Sequence, residues 1–288
     1  MSNFIMLIGL PASGKDAWAK EYIKEHPNTQ VYSSDDIREE LYGDASHQGS
    51  PAKIFELMRS RTLSSLREDK DVIYNATNVS FKDRRGILSQ VKNLKKEVKI
   101  TGIILATPLK VCKERNCARE RVVPNFVFNK MLSRWQTPFY NEGFNEIKVI
   151  TDPQSEVAKE YSEKAFRFGD QKNPHHTLSL YEHCLRCYMS LISQKAPVEV
   201  CLAGLFHDWG KIFTQTFDEE GIAHYYQHEN YSAYMVLEMG GSLEMAQLIN
   251  YHMLPYNYKG GEATWRARLG EELWQKVLML HQADKEAH

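Results

Sequence analysis

The chain has 288 residues, 42% hydrophobic and 25% charged, the make-up of an ordinary globular protein with no sign of disorder, and its length suits two domains. No apolar run approaches the ~20 residues of a membrane span and the N-terminus lacks a basic, apolar leader, so a cytoplasmic protein with no membrane partner is expected. The net charge of −1 hides an asymmetry: residues 1–152 carry 24 Lys and Arg against 19 Asp and Glu, leaving 12 against 18 for the rest. The first half thus suits a polyanion and the second has carboxylates to spare for cations, although solvated lysines such as Lys92, Lys95 and Lys96 supply much of the first excess.

An apolar run over 4–8 leads into Gly9-Leu-Pro11-Ala12-Ser13-Gly14-Lys15-Asp16, and a helical pattern follows. Strand, glycine loop and helix in that order are the setting of a phosphate-binding P-loop. Backbone N–H groups there form an anion nest, the helix adds its positive end, and Lys15 reaches the outer phosphates. ATP or another NTP with Mg²⁺ is the expected ligand of Gly9 to Asp16. The plainer reading, a glycine loop that happens to precede a helix, is disfavoured by the strand before it. Where a Ser or Thr hydroxyl normally ligates Mg²⁺, this chain has Asp16.

Further apolar runs at 30–33, 71–75, 98–106 and 147–151 alternate with helical patterns, which predicts a parallel sheet with crossover helices: an α/β P-loop domain over residues 1–152. Ser80-x-x-Asp83 reads as a capping box and Ser50-Pro51 as a helix start. Tyr32-Ser-Ser-Asp35-Asp36-Ile-Arg38 follows the second run, at the strand end where open α/β sheets bind ligands. Asp35 is suited to take a proton from an attacking hydroxyl and Arg38 to hold a phosphate on the same acceptor, whereas the plainer reading makes Asp35 or Asp36 a helix cap. The third run ends at Asn75. Read with Asp16, it suggests that the carboxylate near Mg²⁺ has moved from that strand end to the P-loop. Arg115 and Arg119 are placed at i and i+4 on one helix face, fit for a lid over the phosphates, or else for surface pairing with Glu114 and Glu120.

Gly9-x-Pro-x-Ser-Gly-Lys-x-x-Trp18, Asp35-Asp36-x-Arg38, Thr77-Asn78 and Arg115-Asn-x-x-Arg119 with Pro124 together resemble the 5′-hydroxyl polynucleotide kinase domain of bacteriophage-type kinase-phosphatases, over about the first 150 residues. The resemblance implies that Lys15 contacts the NTP phosphates and that Asp35 is the general base toward the 5′-OH. It also implies that Arg38 grips the acceptor's 3′ phosphate and that Arg115 and Arg119 form the lid. Asp16 departs from the family's Ser/Thr.

From Asp152-Pro153 onward the periodicity is helical, with helices predicted at about 155–167, 178–193, 198–207, 228–239, 242–252 and 271–286, an all-α bundle over residues 153–288. Cys184-x-x-Cys187 lies inside one of them with no second pair, so buried core cysteines are expected; five irregularly spaced cysteines fit reduced thiols. His183, His207-Asp208, His228, His252 and Asp284 project from these helices as imidazole and carboxylate ligands do in dinuclear centres. The order H…HD…H…H…D, with Asp208-Trp-Gly-Lys211, resembles the HD-domain phosphohydrolases. The resemblance implies that His183, His207, Asp208 and Asp284 hold one metal, that Asp208 bridges to a second held by His228 and His252, and that Lys211 binds the substrate phosphate. The ions would be Mn²⁺, Fe²⁺, Ni²⁺, Co²⁺ or Zn²⁺, two in number. His175 or His176 are weaker phosphate candidates than plain surface histidines; His224, His281 and His288 are unassigned. Asp284 falls near the end of its helix, so a loosely held ligand is expected.

A polynucleotide 5′-kinase joined to an HD phosphohydrolase suits the repair of broken nucleic acid, RNA ahead of DNA. The kinase would phosphorylate a 5′-OH end, the HD half would remove a 2′,3′-cyclic, 2′- or 3′-terminal phosphate, and a ligase would join the ends. Rival readings are a small-molecule kinase, an HD phosphodiesterase of nucleotides or cyclic dinucleotides, and a non-catalytic HD module.

Overall fold

The computed structural model describes residues 2–44, 49–94, 97–152, 155–174, 177–256 and 261–287; His175, His176 and His288 lie outside these. Two compact units emerge, one of residues 1–128 and 138–150, the other of 129–137 and 151–288.

In the first unit β1 (Ser2–Ile8) is central, because its apolar residues are buried on both faces. It pairs in parallel with β3 (Val72–Asn75) and β4 (Val98–Leu105); β2 (Gln30–Ser33) and β5 (Glu146–Ile150) flank them in the order β2-β3-β1-β4-β5. All five predicted strands are present. Register places Leu7 beside Asn75 and Asn75 beside Ser33, so three strands end level at their C-terminal edge. The crossover helices are α1 (Lys15–Glu25), α2 (Ser34–Tyr42), α3 (Pro51–Arg67), α4 (Phe81–Lys92) and α5 (Leu109–Cys117), followed by α6 (Asn125–Leu132). Ser80 and Asp83 form the expected capping box on α4, and Ser50 caps α3 ahead of Pro51. Trp18 and Tyr22 of α1 pack on a core of Ile5, Leu7, Ile73 and Ile103.

A fully buried ion pair ties the edge together. Arg84 donates from Nε and Nη2 to the two oxygens of Glu142, each at 2.7 Å, and from Nη1 to the Asn78 carbonyl at 3.0 Å. Asn78, in the left-handed region at φ +47°, donates to the Leu7 carbonyl at 2.7 Å. Its motif position is therefore structural: it clamps the end of β1.

The second unit is helical, with α7 (Ser155–Arg167), α8 (Leu180–Ser193), α9 (Val198–Phe206), α10 (Lys211–Thr214), α11 (His228–Glu238), α12 (Leu243–Tyr251), α13 (Glu262–Leu269) and α14 (Glu271–Glu286). A two-stranded hairpin, β6 (Thr216–Phe217) with β7 (Ala223–His224), and the helix α13 are additions to the expected all-α pattern. Residues 129–137 join this unit by long-range bonds: Asn250 Oδ1 accepts from the Thr137 N–H at 2.6 Å, and Tyr251 donates to the Thr137 carbonyl at 2.8 Å. Cys184 and Cys187 are buried core residues, as expected. Among the described residues no helix is long and apolar enough to cross a membrane.

Candidate active sites

In the first unit the loop after β1 closes on itself. Gly14 has φ +93°, a conformation costly for any side chain, and Ala12 shares the left-handed region at +58°. Thr107, just past β4, donates to the Ser13 carbonyl at 2.8 Å and pins the loop to the strand edge. Ser13 is buried and Pro11 is part of the turn. The Lys15 ammonium folds onto this nest, donating to the carbonyls of Leu10 at 2.6 Å and Gly9 at 3.2 Å. Burial lowers its pKa to about 8, against the partial support of the Asp16 charge. Asp16 accepts a hydrogen bond from the Asn75 amide at 2.6 Å, so the two residues read together in the sequence do meet.

Beside this loop, α2 begins with Ser33, whose hydroxyl accepts from the backbone of Asp35 and Asp36. The cap is Ser33, which leaves both carboxylates free of that duty. Asp35 Oδ1 takes Arg38 Nη1 at 2.5 Å and Arg121 Nη1 at 3.3 Å. The Nε of Arg38 is buried and has no hydrogen-bond partner among the described residues. Burial, with Asp16 and Asp35 nearby, raises the Asp36 pKa.

The lid arginines differ from expectation in one respect. α5 ends at Cys117, so Arg119 lies beyond the helix and does not share a helical face with Arg115. The reason is local: the Asn116 side chain accepts from the Val123 N–H at 2.9 Å and donates to its carbonyl at 2.8 Å, folding the chain into a closed turn. Arg115 still approaches the loop: its Nη1 is 3.7 Å from where a Gly14 Cβ would be. Arg119 is close enough to Lys15 to oppose its charge. Arg121, given no role from sequence, is the residue of this turn that reaches Asp35.

In the second unit six predicted ligands converge. His183 Nε2 lies 3.2 Å from His207 Nε2 and 3.0 Å from Asp284 Oδ1, while His228 Nε2 lies 2.9 Å and His252 Nε2 3.8 Å from Asp208 Oδ1. Three overlapping triads, His183–His207–Asp208, His207–His252–Asp284 and Asp208–His228–His252, each gather ligand atoms within 4.8 Å. His207, His228 and His252 each turn Nδ1 to a carbonyl three residues back, those of Gly204, Tyr225 and Ile249 at 2.9, 2.7 and 2.7 Å. A carbonyl only accepts, so Nδ1 carries a proton in all three and Nε2 is the nitrogen turned inward, the one a metal would meet once any proton on it is displaced.

Residues 4–138 match the family model described as the AAA domain, and residues 175–287 match that of the HD domain. The chain joins an AAA domain to an HD domain. Among solved structures it is similar to a chain of the Pnkp1/Rnl/Hen1 RNA repair complex at 22% identity, with a TM-score of 0.39, over 46% of this chain and 43% of that one. It is also similar to a fungal RNA kinase at 15% identity, with a TM-score of 0.39, over 58% of this chain and 86% of that one. The chain thus spans less than half the length of the repair-complex chain. No curated protein matches it.

The HD domain's charges fit a divalent ion. Burial alone would raise the pKa of Asp208 and of Asp284, but Lys211 and His207 outweigh it at Asp208, and His183 and His207 at Asp284, holding both well below the usual range. Burial opposes a charge on His207, yet Asp208 and Asp284 push its pKa up to about 9. Burial and the neighbouring imidazoles drop His252 to about 3, so its ring is neutral, and its buried Nε2 has no hydrogen-bond partner among the described residues. Two ionised carboxylates and a neutral, orphaned imidazole nitrogen are a donor set for a cation. Lys211 is buried against Asp208 Oδ2 at 2.6 Å and Gln171 Oε1 at 2.9 Å. Asp284 is firmly placed rather than loose, being buried and bonded by His183, His207 and, at 3.0 Å, the Tyr256 hydroxyl. Gln171 and Tyr256 carry no sequence signal.

Proposed function

We propose that the chain is a bifunctional nucleic-acid end-healing enzyme. Its AAA domain would transfer the terminal phosphoryl group of an NTP, with Mg²⁺, to a polynucleotide 5′-hydroxyl, and its HD domain would remove a 2′,3′-cyclic, 2′- or 3′-terminal phosphate. RNA is the favoured substrate, a ligase the functional partner, and the residues of both sites are those predicted from the sequence. The observation that carries the reading is the Asp35–Arg38 pair beside the Lys15 loop. A proton acceptor and an anion donor stand together there, next to the donor-phosphate nest.

In the AAA domain, Lys15 and the loop amides hold the NTP phosphates, Arg115 and Arg119 offset the charge on the transferring group, and Asp35 takes the proton as the hydroxyl oxygen bonds to phosphorus. The bond to the NDP oxygen breaks with its electron pair and the NDP leaves. Arg38 grips the acceptor's own phosphate. In the HD domain, His183, His207, Asp208 and Asp284 would hold one divalent ion, and Asp208, His228 and His252 a second. Such ions, when bound, supply Lewis-acid charge and a water activated for attack at phosphorus. The carbonyl bonds to Nδ1 turn Nε2 of three of those imidazoles toward the ions, and Lys211 would bind the substrate phosphate.

The test is an end-labelled RNA oligonucleotide with 5′-OH and 2′,3′-cyclic or 3′-phosphate ends, offered ATP, Mg²⁺ and Mn²⁺. Phosphorylation lost in Lys15→Ala and terminal dephosphorylation lost in Asp208→Ala are expected. A protein that phosphorylates nucleosides but no oligonucleotide would overturn the kinase assignment; one that cleaves cyclic dinucleotides and leaves RNA ends intact would overturn the phosphatase assignment.

A further inference from the structure

Tyr256 stands four residues beyond His252, in a short 3₁₀ turn (Leu254–Tyr256) after α12. The ligand side chains are buried, whereas Tyr256 is 45% exposed, and its hydroxyl nevertheless reaches into the cluster. It donates to Asp284 Oδ2 at 3.0 Å, while Oδ1 of the same carboxylate faces His183 Nε2 at 3.0 Å and His207 Nε2 at 3.3 Å. The ring packs edge-on against His281, 4.3 Å between centroids, one turn before Asp284 on α14.

A carboxylate's terminal torsion is broad and two-fold, so nothing intrinsic to Asp284 decides which oxygen faces the histidines. A donor on one oxygen does decide it. Hydrogen bonds to ligating carboxylates are how outer residues set a metal site's affinity.

We propose that Tyr256 is a positioning residue of the metal centre. By holding Asp284 Oδ2 it presents Oδ1 to the ion shared with His183 and His207, and so governs the occupancy of that position alone. The second position, formed by Asp208, His228 and His252, does not depend on it. This rests on reading the HD cluster as a two-ion site.

The full chain is stripped with chelator and titrated with Mn²⁺ without nucleotide, and bound ion is counted by elemental analysis above the background that Asp208→Ala retains. Wild type is expected to take two equivalents and to show the exchange-coupled spectrum of paired Mn²⁺ ions in electron paramagnetic resonance. Tyr256→Phe keeps the ring against His281 and loses only the hydroxyl. It is expected to hold one equivalent at wild-type affinity, to bind the second roughly 10–100-fold more weakly, and to lose the coupled spectrum at limiting Mn²⁺. Metal-free Tyr256→Phe should melt only slightly below the metal-free wild type, since the ring packing is kept and one hydrogen bond to Asp284 is lost. Two equivalents at wild-type affinity in Tyr256→Phe, or equal weakening of both, would overturn the proposal while leaving the metal reading standing. No Mn²⁺ bound by wild type above the Asp208→Ala background would overturn the metal reading itself.

Discussion

Nucleotide binding to the AAA domain should take up a proton above pH 8. Free of ligand, Lys15 is buried against carbonyl oxygens, and its pKa falls from 10.5 to about 8. Phosphates in the loop favour the charged ammonium and restore a value near that of a solvated lysine. The sign follows: the complex binds more protons than the free protein between about pH 8 and 10.5, so affinity is full below pH 8 and declines as pH rises through it. With those two values, uptake at pH 9 is about 0.9 proton per nucleotide, and affinity falls about fivefold between pH 8 and 9. Isothermal titration calorimetry at pH 9, in two buffers of different ionisation enthalpy, reads the uptake directly. Lys15→Arg stays charged throughout and should abolish both the uptake and this pH dependence. Zero uptake by the wild type at pH 9 would refute the reasoning, because it would mean that Lys15 carries its charge in the empty loop.

Glu142→Gln leaves the Arg84 guanidinium buried beside a neutral partner and should cost about 3–5 kcal/mol by denaturant unfolding; replacing both residues by apolar ones of similar volume should cost less. If Asp16 has taken over the carboxylate role of the strand end at Asn75, Asp16→Ser combined with Asn75→Asp should restore more kinase activity than either change alone, and no recovery would sink the idea. Gly210→Ala would put its Cβ 2.1 Å from the His228 carbonyl and 2.8 Å from the Ser232 nitrogen, both backbone, and should destabilise the HD domain by roughly 1–3 kcal/mol while weakening Mn²⁺ binding.

The strands of the AAA domain were legible because each is a short apolar run between turn residues, a signal that survives whatever the chain later packs against. The six candidate HD ligands were picked out by order and spacing, and the fold brings them together. What the sequence hid is non-local or too short to show a period. A two-residue strand such as Thr216–Phe217 has no alternation to read, and α13 presents a mostly exposed, mixed surface with no apolar stripe. The helical spacing of Arg115 and Arg119 misled because Asn116, three residues before Arg119, spends its side chain on Val123 and breaks the helix between the two arginines. Arg121, Gln171 and Tyr256 act across 86, 40 and 28 residues of sequence, and only the fold brings them to their partners.

The charge asymmetry of the sequence acquires a physical meaning at the two sites. In the AAA domain cations gather about the loop: Lys15 in it, Arg38 paired with Asp35 beside it, and Arg115 close to Gly14. The HD domain does the reverse, burying Asp208 and Asp284 among imidazoles. Buried carboxylates are costly unless paired, and here one lysine and a raised His207 supply the compensation. His252, held neutral, supplies none. A divalent ion would take the place of the proton on His207 and meet the neutral His252 ring at the same carboxylates, and such ions should stabilise the HD domain against unfolding where they leave the metal-free Asp208→Ala variant unchanged. On the proposed reading, a phosphate would meet fixed positive charge in one domain and, in the other, ions held by buried carboxylates and imidazoles.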